Sequence, residues 1–298
     1  SIIVVLFLGM LIFASSLGVP NSSGPVPITQ ITHMAHPPID TVALMKAINP
    51  AAGVQLPVIY ASVGPELVDI GTIDLARLQL DLQKNGRKLS DQDLEILTRG
   101  SQEPITISQK NEAFLFRLFW AIGLTNQNPI LEHGPLRANG VKMENISSIT
   151  TWKLSQKSAV ELFSKGNLVS LSPDQQSRVE EVAKEVYLPC CDNPALFPDC
   201  SHGMAMLGLL ELMGAQGAST DAMFSAAKQV SAFWFPQQTQ EKAIFMIATQ
   251  LKNFPDVDPR IIMSSDYSSA KGFQQINQWL RKNGMLKDET DLHPASTE

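Results

Sequence analysis

Helix start and stop signals recur along this chain while strand-like alternation is scarce, and that imbalance constrains the fold more than any other feature. Ser172 with Gln175 three residues on, and Pro173 at the first helical position, form a capping-box pattern. Val179, Val182, Ala183 and Val186 then supply one buried face, with the helix expected to end near Tyr187. Ser90 is expected to cap a helix in which Leu94, Ile96 and Leu97 bury and Gly100 marks the end. Between Gly64 and Asn85, Leu67, Ile70, Leu75, Leu78 and Leu82 fit one or two helices better than a strand. Ser108 is the candidate cap for NEAFLFRLFWAIGL, where Phe114, Leu115, Leu118, Phe119 and Ile122 crowd the circumference and predict a central, nearly buried helix. Ser219 caps a further helix, Pro236 opens another, and polar residues 264–269 lead into AKGFQQINQWLRKNG. VQLPVIYASV and NLVSL are the only β-rich runs, and neither makes a sheet alone. The expected fold is mostly α, a helical bundle-like extracytoplasmic domain behind an N-terminal membrane helix.

The membrane helix is read from an unbroken apolar run, Ile2 to Phe13, that continues without charge to Val19. Residues 1–19 are expected to anchor the chain; a cleaved signal and secretion is the alternative, offered by the small residues Ala14, Ser15 and Ser16. Residues 20–38 read as a linker, 39–140 and 141–286 as two helical halves divided within a turn-rich stretch, and 287–298 as a solvated tail. At 298 residues and 44% hydrophobic, the chain has enough apolar bulk to fold without a metal or disulfide. Its 23 Lys and Arg form no basic cluster and the net charge is -6, so no nucleic-acid partner is expected. The expected partner is the membrane, through the N-terminal helix, with a protein partner left open.

Chemistry concentrates in LPCCDNPALFPDCSHGMAM, which carries all three cysteines. Cys190 and Cys191 are adjacent, eight residues precede Cys200, and His202 follows two further on. Structural zinc favours cysteines two to four residues apart, so the zinc signature is weak. As soft donors the set is better: Cys190, Cys191, Cys200, His202 and Met206 suit copper as Cu(I), or another soft metal. On a helix His202 and Met206 share a face, although Met206, Leu209, Leu210 and Met213 also read as an apolar core stripe. A disulfide from Cys200 to Cys190 or Cys191 would staple a loop of about ten residues, worth about 3 kcal/mol. Cys200 stands where a helix N-terminus and the His202 imidazole would lower a thiol pKa, the condition for thiol redox chemistry.

Two thinner hints lie elsewhere. His33 and His36 flank Met34 just after the anchor, but Pro37 and Pro38 oppose the helix that would align them. Glu132 and His133 are expected in a loop. No HExxH pattern, phosphate-binding glycine loop or Gly-x-Ser-x-Gly elbow is present. The segment PCCDNPALFPDCSHGMAMLGLLELM, with FRLFWAIGLTNQNPILEHGP upstream, resembles an uncharacterised family of membrane-anchored prokaryotic proteins. The resemblance covers these two motif regions and implies no activity and no catalytic residue. Three function classes remain open: soft-metal binding, an interaction or scaffold role with a stapled loop, and a thiol-redox enzyme.

Overall fold

The apolar helix at Phe114 and the glycine-bearing helix that follows the cysteines form the centre of the molecule. In the computed structural model, which describes residue 28 and residues 31–32, 34–138, 140–250 and 252–286, the chain is mostly helical. The first half runs α1 (Thr41–Ile48), β1 (Val54–Ala61), α2 (Val63–Ile70), α3 (Leu75–Lys84), α4 (Asp91–Arg99), β2 (Ser101–Ile107) and α5 (Glu112–Thr125). Four helices of one turn or little more follow: α6 (Pro129–His133), α7 (Pro135–Ala138), α8 (Ser147–Thr150) and α9 (Ala159–Leu162). Then come α10 (Pro173–Glu185), α11 (Ser201–Ala215), α12 (Thr220–Trp234), α13 (Pro236–Gln250), α14 (Pro259–Ile262), α15 (Ser265–Ser268) and α16 (Ala270–Lys282).

α5 and α11 cross at backbone contact, and glycine makes the crossing possible. A Cβ on Gly123 would lie 2.1 Å from the Met204 carbonyl oxygen, and one on Gly208 would lie 2.1 Å from that of Phe119. Both helices are therefore buried nearly all round: Phe114, Leu115, Leu118, Phe119 and Ile122 from α5, and every residue from Gly203 to Gly214 in α11. The expected stripe of Met206, Leu209, Leu210 and Met213 is one part of a fully enclosed helix. A continuous apolar core extends from Ile28 through both helices to Leu280.

The strands pair antiparallel, Val54 with Ile107 and Ala61 with Ser101, with irregular register between. Pro57 and Pro104 contribute no N–H to the ladder, in keeping with a short ribbon. Gln216, just beyond α11, acts as a further strand partner: its side-chain amide accepts from the Ile59 N–H at 2.9 Å and donates to the Ile59 carbonyl at 2.9 Å.

Several local expectations change. The polar start of Ser101–Ile107 hides a strand that exists only because β1 lies beside it. NLVSL is not a strand; the Asn126 carboxamide oxygen takes the N–H groups of Leu168 and Val169, which a neighbouring strand would otherwise have satisfied. Leu94 is 41% exposed, while the capping partner Asp93 is buried in its place. Asn111, not Ser108, occupies the cap position of α5, and its side chain binds back to Ser108 and Thr106. Among the described residues no helix is long and apolar enough to cross a membrane. The segment 1–19 proposed as an anchor, the 287–298 tail and His33 lie outside the described residues.

Candidate functional site

The cysteine segment leaves α10 at Val186 and folds back on itself. Tyr187 pairs with Pro194 in an isolated antiparallel bridge, the Ala195 N–H binds the Val186 carbonyl, and the Leu196 N–H binds that of Ala183. The tip carrying Cys190 and Cys191 is then fixed from outside. At the first turn of α16, the Ala270 N–H donates to the Cys191 carbonyl at 2.9 Å and the Lys271 N–H donates to Asp192 Oδ1 at 2.8 Å. The returning strand is held by α8: Ser148 donates from its hydroxyl to the Pro198 carbonyl at 2.7 Å and from its N–H to the Asp199 carbonyl at 2.8 Å. Trp120 of α5 in turn donates its indole N–H to the Ser148 carbonyl at 2.9 Å. Asn193 bridges the loop by donating to Asp199 Oδ2 at 2.9 Å.

Cys200 ends this run as the cap of α11, its sulfur accepting the Gly203 N–H at 3.3 Å. The bracing brings all three sulfurs together. Sγ of Cys200 lies 3.4 Å from that of Cys191 and 3.6 Å from that of Cys190, and the adjacent pair are 4.0 Å apart. All three are free thiols, Cys190 exposed and the other two half-buried. The expected staple is thus replaced by an open thiol triangle, since a disulfide needs its sulfurs at about 2.05 Å.

One negative charge is readily held in this triangle. Cys191 is pushed down, first by the bond from Cys190 and then by the contact with Cys200, against the opposing effect of burial. Cys190 is pushed far above the ordinary thiol range by the same bonds, to Cys191 first and Cys200 second. For Cys200 the bond with Cys190 acts downward, but the bond to Cys191, burial and the Cys191 charge carry it up to about 11. The sequence pointed to Cys200, which accepts the Gly203 N–H at 3.3 Å, while Cys191 Sγ also stands 3.7 Å from the Asn193 carbonyl oxygen.

His202 turns away from the role expected of it. Its ring packs 4.6 Å from Phe116 and 4.6 Å from Phe235, with Trp234 at 6.0 Å. Burial pushes its pKa down to about 4 despite the Cys191 charge, so the imidazole is neutral at pH 7. Among the described residues, the group of ligand atoms all within 4.8 Å of one another holds the three cysteines and not His202. Met206 lies one turn deeper and is fully buried in the core. The other hints are not brought to the thiols: His36 Nδ1 is 2.7 Å from the Pro37 carbonyl oxygen, and Glu132 and His133 lie on α6 instead of in a loop, 3.9 Å apart with His133 exposed.

Donor chemistry decides what the triangle suits. A metal–sulfur bond of about 2.3 Å puts sulfurs about 3.8 Å apart on a tetrahedron and about 4.0 Å apart around a trigonal ion. The separations of 3.4–4.0 Å lie within about 0.4 Å of the first and about 0.6 Å of the second. An iron–sulfur cluster, in which the thiolates are spread over different irons, would need them farther apart. The positioning residues Ser148, Asp192, Asn193 and Asp199 were not identified from sequence, although Asp192, Asn193 and Asp199 all lie inside the cysteine segment. No protein-family model, curated protein or solved structure matches this chain.

Proposed function

We propose that this protein binds a single soft metal ion, Cu(I) above all, through the sulfurs of Cys190, Cys191 and Cys200. The observation that supports this reading is the triangle itself: three sulfurs within 4.0 Å of one another, with Cys191 and Cys200 each held by its own backbone contact. Thiolate is a preferred donor for Cu(I). Structural zinc takes four protein ligands, and among the described residues no His, Asp or further Cys joins this group. Loading displaces the protons of Cys190 and Cys200, so affinity rises with pH. The apolar run Ile2–Phe13 supports placing this activity outside the cytoplasm, at a membrane.

Reduced protein titrated with Cu(I) under nitrogen, against a coloured cuprous chelator, should withdraw one equivalent. Cys200→Ser retains a good helix cap but loses a donor, and should weaken binding by more than about 100-fold, the upper end for changes merely behind a ligand. His202→Phe and Met206→Leu should still load, because neither side chain belongs to the donor triangle. Failure of the reduced protein to compete with the chelator, or equal uptake by a triple Cys→Ser variant, would rule the reading out.

A further inference from the structure

The same three sulfurs are placed to close as well as to bind. Cys191 and Cys200 are the nearest pair at 3.4 Å, and moving them together by about 1.4 Å would bring them to disulfide length. The neighbours Cys190 and Cys191 stand farther apart, at 4.0 Å, and Cys190 lies 3.6 Å from Cys200. A bond from Cys191 to Cys200 would close a ring of ten residues through a segment already folded back at Tyr187 and Pro194. Both ends of that ring are anchored, Cys191 by the first turn of α16 and Cys200 by the first turn of α11. The sulfurs are half-buried at the surface and Cys190 is exposed, so a small reagent reaches them.

We infer that the site is redox-gated: a low-molecular-weight disulfide such as glutathione disulfide oxidises Cys191 and Cys200 to an internal disulfide, which removes two of the three metal donors. This rests on the metal-binding reading. In the first step Cys191, having lost its proton to solvent, attacks one sulfur of the reagent, forming a mixed disulfide and expelling one thiolate. Cys200 then loses its proton to solvent and attacks the Cys191 sulfur, expelling the second thiolate. The reagent takes two electrons and leaves as two thiols, while the protein loses two thiol hydrogens and gains one S–S bond. Cys190 is left as a single thiol, too few donors for the ion. A bound metal occupies the Cys191 lone pairs and blocks the first attack, so loading protects the site and oxidation of the empty site closes it.

The test starts from full-length, reduced, metal-free protein incubated with glutathione disulfide under nitrogen, then quenched with N-ethylmaleimide. Intact mass and peptide mapping should show one alkylated thiol, at Cys190, and a Cys191–Cys200 link. The oxidised form should bind Cu(I) at least about 100-fold more weakly, and dithiothreitol should restore binding. Cys190→Ser should still close; Cys200→Ser should stop at the glutathione adduct. Three alkylated thiols, a link between other cysteines, closure in Cys200→Ser, or undiminished Cu(I) binding by the oxidised form would each overturn the gate. The bond is mapped without metal, so failure of the reduced protein to take Cu(I) overturns the binding reading separately.

Discussion

Buried ionisable residues tell two different stories at the residue scale. In the thiol triangle, each sulfur has sulfur neighbours within hydrogen-bonding reach. Glu211, in the middle of α11, is fully buried, and burial pushes its carboxyl well above the usual carboxylate range against the bond from Asn126. The Asn126 amide donates to its Oε2 at 3.2 Å, while Oε1 has no partner. Folding therefore holds a proton on Glu211 that the unfolded chain releases above about 4.5. Its contribution to stability is complete below that pH and is lost as pH rises toward the folded value. Glu211→Gln keeps an acceptor for Asn126 and removes the titration. Urea unfolding of both proteins between pH 5 and 7 should show wild type losing ground to the variant, by at most about 1.4 kcal/mol per pH unit. A constant difference across that range would show that the carboxyl does not titrate as described.

At the scale of elements, the contact between α5 and α11 also sets the site. α5 holds Trp120, which binds Ser148 behind the returning loop, and α11 begins at Cys200. A methyl group on Gly208 would sit 2.1 Å from the Phe119 carbonyl oxygen and 2.5 Å from the Gly123 nitrogen, against backbone that cannot rotate away. Gly208→Ala should therefore cost about 2 kcal/mol or more, in the range of overpacked cores. Urea denaturation measures it; a midpoint unchanged from wild type would mean that the helices separate without penalty. Helix boundaries were largely legible because caps are local chemistry. The capping boxes at Ser90 and Ser172, the Ser219 cap and Pro236 at the start of α13 occur where the sequence places them. The strand Ser101–Ile107 was not legible, because nothing in its own residues announces a partner at least 40 residues away, at Val54–Ala61.

Across the whole molecule, one apolar core draws on both halves of the chain. Ile28 and Ile31, from the stretch read as linker, belong to this packing, and the stretch is tied down by its backbone: the Met34 N–H binds the Ala248 carbonyl at 2.8 Å and the Trp279 indole binds that of Ile31 at 3.1 Å. Fragments 39–140 and 141–286, produced separately, would each expose one side of the α5–α11 contact. Neither should unfold cooperatively by circular dichroism, whereas the full chain should; a sharp transition in either fragment would show that the half is an independent domain. The sequence by itself determined the helical class, most helix starts, the central place of α5 and the one segment that carries the thiols, because caps, periodicity and composition act between near neighbours. Only the tertiary structure decided that His202 faces an aromatic box and that the cysteines form a triangle. Those outcomes depend on α5, α8 and α16 converging on one loop, and burial and distance between remote segments are not written in the spacing of residues along the chain.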